Sequence, residues 1–287
     1  MIFDTSEIKE YYLNECSVLG KGTSPHLACI FSLDDPSSSS FVKSLQRAGD
    51  QTGIVVATAP LSSLCRWEPT IQLFNADYNI HGILLISPPA WLHNYHNLIV
   101  DSKNVEGNDC DDRIGRISCT AQAIVVIAAD MVRQECDYPP KPSIETKIID
   151  WIEGQNVVIV GYGKAVGKPL SYLFMRYHAG SVTTIHKYTP PGTAFKILHE
   201  SDIIVSATGN PDVFKNILYT AGILPSEFTG KYIIDAGITE KDGKIVGDIE
   251  TEKFADKNMI TKVPGGVGAV TTAIILHNTV RAARGTL

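Results

Sequence analysis

Residues 156–177 read NVVIVGYGKAVGKPLSYLFMRY, and no other stretch limits the fold so tightly. An apolar run of strand length ends at Gly161, and Gly163 and Gly167 follow within a few residues. From Lys168 to Tyr177 the apolar residues then take helical spacing. A strand that runs through a glycine loop straight into a helix is the setting in which such a loop binds a dinucleotide. The first glycine permits the turn, the second lets the backbone approach a pyrophosphate, and the third lets the helix pack close to the strand. The pattern predicts an α/β fold built on a parallel sheet.

The rest of the chain agrees with that class. Residues 6–20 have the pattern of an amphipathic helix, and 27–32 (LACIFS) read as a strand. DDPSSSSF (34–41) leads into a helix that Gly53 ends, and 54–59 and 81–89 supply two more strands, the last stopping at a Pro-Pro pair. After a helix beginning near Thr120, the Pro-rich DYPPKPS (137–143) marks a domain boundary. Beyond it, 156–161, 181–186, 202–209 and 231–237 read as strands in a second α/β series. Strand and helix in alternation, with short connections, predict parallel sheets. Two domains are expected: residues 1–120 with the final helix (268–287), and a Rossmann-like domain at 140–265. The cleft between two such domains is the expected ligand site.

Composition removes several classes of function. The net charge of −6 over 287 residues lacks the basic excess of a nucleic-acid binder. Cys16, Cys29, Cys65, Cys110, Cys119 and Cys136 are scattered, with no CxxC pair, which argues against a zinc site or a disulfide framework. The eight histidines form no metal-ligand spacing with cysteines or carboxylates. No apolar run approaches the length of a membrane span, and MIFDTSEIKEYY is too polar for a signal peptide. A cytoplasmic protein with no metal, membrane or nucleic-acid partner is expected.

Residues 264–280, PGGVGAVTTAIILHNTV, are more specific still. A glycine-rich turn offers close backbone approach, and the helix after it offers free N–H groups. On these residues alone, a tight turn before a core helix is the alternative. The string resembles the C-terminal signature of the bifunctional methylenetetrahydrofolate dehydrogenase/cyclohydrolase family, PGGVGPMT followed by an apolar stretch and NTV. Ala269 and Val270 stand at the Pro and Met positions. SDIIVSATGNP (201–211), KYIIDAGIT (231–239) and GDI (247–249) also resemble family motifs, in the family's order. The glycine loop keeps Val166, Gly167 and Pro169 of the family pattern but carries Tyr162-Gly163 in place of Arg-Ser. At the end of the next strand the family's H-S-R-T is His186-Lys187-Tyr188-Thr189.

The resemblance implies an NAD(P)-dependent oxidoreductase of one-carbon metabolism acting on a folate-type substrate, and a homodimer. It implies a dinucleotide site at Gly161, Tyr162, Gly163, Lys164, Val166, Gly167, His186, Lys187, Ala207, Thr208, Gly209, Gly237 and Ile238. Substrate is implied at Phe41, Leu45, Ile86, Glu106, Pro264, Gly265, Gly266 and Thr271. Both arginine positions that serve the 2′-phosphate of NADP are tyrosine here, yet the strand end also lacks the acid that would bind the ribose of NAD. Lys187 and Lys164 are the available point charges, and the choice between NAD and NADP stays open.

The family's proton-handling cluster is replaced. Its lysine, in Y-V-x-x-K, falls at Leu45, and its tyrosine at Phe41. Lys43 is two residues earlier, about 200° around a helix, and belongs to the surface. The glutamine that supports the lysine falls at Ile86, and the pterin-binding aspartate at Glu106. No catalytic residue is therefore assigned, and loss of the cyclohydrolase step is expected. Three functions follow: a dehydrogenase without cyclohydrolase activity, an enzyme of changed substrate in a specialised pathway, and a non-catalytic ligand-binding relative.

Overall fold

The computed structural model describes residues 1–62, 65–86, 95–107, 117–135, 148–220, 224–241 and 244–287. The Pro-Pro stop at 88–89 and the Pro-rich link at 137–143 lie outside these residues. In chain order the elements are β1 (Ile2–Phe3), α1 (Ser6–Leu19), β2 (His26–Ser32), α2 (Pro36–Thr52), β3 (Val55–Leu61), α3 (Glu68–Ala76), β4 (Gly82–Ile86) and α4 (Cys119–Glu135). They continue with α5 (Ile148–Ile152), β5 (Asn156–Val160), α6 (Gly167–Arg176), β6 (Ser181–Ile185), α7 (Pro191–Glu200), β7 (Ile203–Ser206), α8 (Pro211–Thr220) and β8 (Tyr232–Asp235). Last come β9 (Thr239–Lys241), β10 (Lys244–Val246), α9 (Thr251–Phe254), β11 (Met259–Thr261) and α10 (Val267–Ala283). No described helix is long and apolar enough to cross a membrane.

The chain divides into two compact units. One comprises Met1–Ile8 and Thr120–Thr271, the other Lys9–Cys119 and Thr272–Leu287. The larger unit is built on a six-stranded sheet in the order β1-β11-β8-β7-β5-β6, with every pairing parallel. Ile203–Ser206 of β7 and Val157–Val160 of β5 are all buried, as strands covered on both faces must be. A core of Val158, Ile204, Ile233, Phe214, Phe228 and Phe254 packs helices against this sheet. The strand order turns at β5, with β6 on one side and β7 on the other. That reversal opens a crevice at the carboxyl ends of the strands, the place where open α/β sheets bind ligands.

The smaller unit has a parallel three-stranded sheet, β3-β2-β4. Period-two alternation sorts its side chains. Ala28, Ile30, Ile83 and Leu85 share one face with Trp67 and Ile71 of the α3 region. Cys29, Phe31, Leu84 and Ile86 therefore take the other face. Helix α2 covers that second face: a Cβ at Gly49 would lie 2.8 Å from Val56 Cγ2, and Val56 pairs with Leu27. Asp35 caps α2 by accepting from the Ser37 and Ser38 N–H groups, Pro36 occupies its first turn, and Gly53 closes it in the left-handed conformation (φ 74°). Asn278, in the last part of α10, donates to Val105 O at 2.9 Å within this unit.

Candidate functional site

In the larger unit, all thirteen residues expected to hold a dinucleotide lie just beyond the carboxyl ends of β5, β6, β7 and β8. These four strands are neighbours in the sheet. Gly161 (φ 110°) follows β5, and a Cβ there would sit 2.5 Å from Ala207 O. Its N–H donates to Ile185 O at 2.8 Å, while Ala207 N–H donates to Val160 O at 2.9 Å. Glycine at 161 thus draws the ends of β5, β6 and β7 together. A Cβ at Gly167 would approach Gly161 O to 2.1 Å, so this glycine lets α6 start against the turn. Gly163 differs: nothing lies within 4 Å of its missing Cβ. That open approach, at the start of a helix with no side-chain cap, fits a pyrophosphate reached by backbone N–H groups.

Beyond β6, the residues 186–189 fold on themselves. His186 N–H donates to Thr189 Oγ1 (3.1 Å), Tyr188 N–H to His186 Nδ1 (3.2 Å), and Thr189 N–H to His186 O (2.8 Å). Lys187 Nζ stands 5.0 Å from the centroid of the exposed Tyr188 ring. This end carries cationic and aromatic groups and no carboxylate.

The ends of β7 and β8 are tied by two buried aspartates that the sequence reading left without a role. Asp248 Oδ2 accepts from Ser206 Oγ, Thr208 N–H and Thr208 Oγ1, each at 2.8 Å. Asp235 accepts from Gly237 N–H (2.9 Å), Asp248 N–H (3.0 Å) and Ile249 N–H (2.9 Å). Each aspartate occupies the space of a missing side chain. A Cβ at Gly237 would be 2.1 Å from Asp248 Oδ1, and one at Gly247 2.1 Å from Asp235 Oδ2. The available signal was the adjacency itself, an acid beside a glycine in both DAG and GD.

Pro264, Gly265, Gly266 and Thr271 sit around the start of α10. Gly265 has φ 100°, its carbonyl accepts from Thr5 Oγ1 at 2.9 Å, and a Cβ at Gly266 would lie 2.5 Å from Lys262 O. Thr271 Oγ1 is used within the helix, donating to Val267 O at 2.9 Å.

In the smaller unit the other four expected substrate residues gather on the α2 side of the sheet. Leu45 is fully buried, Phe41 one turn earlier is half-buried, and Lys43 is exposed. Ile86 ends β4 on the Cys29 face, half-buried. The backbone about Glu106 is clamped from several directions. Asn104 bridges to Ile83, Gly107 N–H donates to Asn104 Oδ1 at 3.2 Å, and Cys119 N–H donates to Glu106 O at 2.9 Å. Lys103 is spent on structure, donating to the carbonyls of Phe74, Asn75 and Asp77 at the end of α3 at 2.9, 2.8 and 2.7 Å. Glu106 is part-exposed as a residue, but its Oε2 is out of contact with solvent and has no hydrogen-bond partner among the described residues. Burial pushes its carboxyl up to about 8. The Cys29 and Cys119 thiols are pushed up first by burial and then by this carboxyl. Phe41, Leu45, Ile86 and Glu106 thus offer apolar surface and one carboxylic acid that stays protonated at neutral pH, and none of the four is a lysine or glutamine. Among the described residues no cluster of histidine, cysteine and carboxylate side chains has the makings of a metal site.

A parallel sheet with its ligand edge at a topological switch, and a glycine loop there, defines a dinucleotide-binding α/β protein. Comparison with known proteins gives the class its family. Residues 144–287 match the tetrahydrofolate dehydrogenase/cyclohydrolase NAD(P)-binding domain. The chain is 33% identical over 279 residues to the bifunctional protein FolD of Geobacillus thermodenitrificans, covering 92% of this chain and 88% of the relative. Its structure resembles the bifunctional FolD methylenetetrahydrofolate dehydrogenase/cyclohydrolase of Campylobacter jejuni, with a TM-score of 0.76, 27% identity, and coverage of 99% of this chain and 96% of the other. A FolD of Trypanosoma brucei, complexed with NADP and an inhibitor, shares the fold with a TM-score of 0.79 at 23% identity, covering 100% and 98% of the two chains. The chain belongs to the tetrahydrofolate dehydrogenase/cyclohydrolase family, and most of the residues that match its NAD(P)-binding domain lie in the larger unit.

Proposed function

We propose that this protein is an NAD(P)-dependent dehydrogenase of a 5,10-methylene-tetrahydrofolate-type substrate, and that it lacks cyclohydrolase activity. When bound, the dinucleotide supplies a nicotinamide that accepts a hydride from the methylene bridge, leaving a methenyl cation and a reduced nicotinamide. The chain's part in that step is to bind and orient. The open backbone at Gly163 receives the pyrophosphate, and the loops after β7 and β8 hold the nicotinamide end. The α2 face of the smaller sheet, with Phe41, Leu45 and Ile86, supplies an apolar wall for the folate, and Glu106, protonated, supplies one hydrogen-bond donor. Hydride transfer draws mainly on such positioning.

Opening the methenyl cation with water is a different demand, because it needs a group that moves protons. The observation that carries the reading is Leu45, fully buried at the position of the family's lysine. Phe41 and Ile86 beside it cannot hold or polarise a water. The same three residues also favour a second reading, a related substrate that needs no water addition. The homodimer implied by the family finds support in β3. It edges its sheet with no strand on its outer side among the described residues, and none of its residues is buried.

The test is built into the three positions. The unmodified protein is expected to hydrolyse methenyl-tetrahydrofolate no faster than buffer. Leu45→Lys alone is expected to recover little, since a lysine desolvated between Phe41 and Ile86 loses its proton. Phe41→Tyr, Leu45→Lys and Ile86→Gln together should recover more than the sum of the single changes. Hydrolysis above buffer by the unmodified protein overturns the loss of this step and makes Glu106 the proton carrier to examine.

A further inference from the structure

Asp235, the last residue of β8, and Asp248, in the segment after β10, bring two carboxylates into the interior of the larger unit, 1% and 3% exposed. Asp235 accepts on both of its oxygens. Asp248 differs: its Oδ2 takes all three donors, from Ser206 and Thr208, one more than the two lone pairs of an amide carbonyl. The other oxygen, Oδ1, is buried and has no hydrogen-bond partner among the described residues. Neither aspartate forms an ion pair among the described residues. Oδ1 takes no part in tying β7 to the 247–249 segment, and its desolvation carries a cost. The negative charge is kept beside Thr208 and Gly237, with one acceptor left over.

Among the described residues, the side chains hydrogen-bonded to the pair are neutral: Ser206 and Thr208 from the end of β7, and Thr261 of β11, whose Oγ1 accepts from Asp235 N–H at 2.9 Å. Among the described residues, Asp248 is the charged group that acts on Asp235. Burial first, and the charge of Asp248 in addition, raise the Asp235 carboxyl to about 6, against the pull of the backbone hydrogen bonds from Asp248, Ile249 and Gly237. Among the described residues the pair has no cationic partner, so it is a source of negative potential in a low-dielectric interior, where such a field reaches further than in water.

We propose that Asp248, with Asp235 behind it, is a redox-state selector: its buried charge favours the oxidised dinucleotide, whose pyridinium ring is cationic, over the reduced form, whose dihydropyridine ring is neutral. The inference rests on the dinucleotide reading of the loops after β7 and β8. It assigns Asp248 an electrostatic role toward the ring and assumes no direct contact. A positive ring is held by the field and a neutral ring is not, so the product form is released more readily.

The experiment is calorimetric titration of the full-length protein with NAD, NADH, NADP, NADPH and ADP-ribose, which has the pyrophosphate and no nicotinamide. Asp248→Asn keeps the acceptor and removes the charge. It is expected to lower the preference for the oxidised over the reduced form by about tenfold, leaving ADP-ribose affinity within about twofold. Ser206→Ala, which removes one hydrogen bond to the same carboxylate and keeps the charge, should leave the preference at its unmodified value. If Asp248→Asn fails to fold, the unmodified protein still decides. Protonating Asp235 at about pH 5 should lower the preference relative to about pH 8. An unchanged ratio in Asp248→Asn, or a parallel loss of ADP-ribose, overturns the proposal and leaves the dinucleotide site standing. So does a ratio insensitive to pH where that measurement has to decide. Failure of the unmodified protein to bind any of the five ligands overturns the dinucleotide reading, and the selector with it.

Discussion

Glu106 shows how one longer side chain alters a site without changing its formal charge. Its carboxyl, with Oε2 sealed from solvent, is raised to about 8, so at neutral pH it is an acid that donates a hydrogen bond. The raised folded value sets the sign of its effect on stability. The native state holds this proton more tightly than the unfolded chain, so the stability Glu106 contributes is full below its ordinary value and is lost as pH rises toward about 8. Glu106→Gln, neutral throughout, should therefore flatten the fall in melting temperature between mildly acidic and mildly alkaline pH; an unchanged slope would mean that the carboxyl is already ionised. Lys187 carries a separate expectation. Its ammonium is a point charge at the end of β6, with no guanidinium beside it. Lys187→Ala should weaken NADP binding, more at low salt than at high, and leave NAD almost unchanged; equal losses for both cofactors would remove Lys187 from 2′-phosphate recognition. The sequence placed Leu45, Phe41, Ile86 and Glu106 at their positions by register with a known motif. It could not show that Oε2 of Glu106 is sealed, because burial brings Glu106 together with residues such as Cys29 that are distant in the chain.

At the level of elements, local chemistry was mostly sufficient. Helix α2 was legible from Asp35-Pro36 at its start and Gly53 at its end, and both act as caps. Burial resists the charge of Asp35, but hydrogen bonds from Ser38 and Ser37 outweigh it and hold the carboxyl below its ordinary range. This lowered value contributes stability above the unfolded-state value and is lost as pH falls through the folded one. Asp35→Ala should cost about 0.5–2 kcal/mol at neutral pH, measured as a lower denaturant midpoint with unchanged slope, and the cost should shrink in acid. β5, β7 and β8 were legible as apolar runs because buried parallel strands need no alternation. β1 and β11 were not: two and three residues long, they exist because Ile2 and Phe3 pair with Ile260 and Thr261, contacts more than 250 residues apart that no local pattern reports. The β9–β10 hairpin escaped for the same reason of length. The final helix begins at Val267, one residue before the expected start, with Gly268 and Ala269 in its first turn.

For the whole molecule, the two sheets carry different histories of constraint. The larger unit has the glycines and the strand order of a dinucleotide fold, while the smaller unit has a capped α2 whose Leu45 is fully buried. Family membership follows from the chain as a whole, and the proposed balance of activities rests on the smaller unit. The most direct measurement follows both products together as 5,10-methylene-tetrahydrofolate is oxidised with NAD or NADP. One equivalent of methenyl-tetrahydrofolate should accumulate for each nicotinamide reduced, decaying afterwards only at the rate seen in buffer. Reduced nicotinamide appearing without methenyl product would contradict the account by showing an active cyclohydrolase, and no reduction with either dinucleotide would contradict it by showing that the protein is not a dehydrogenase of this substrate.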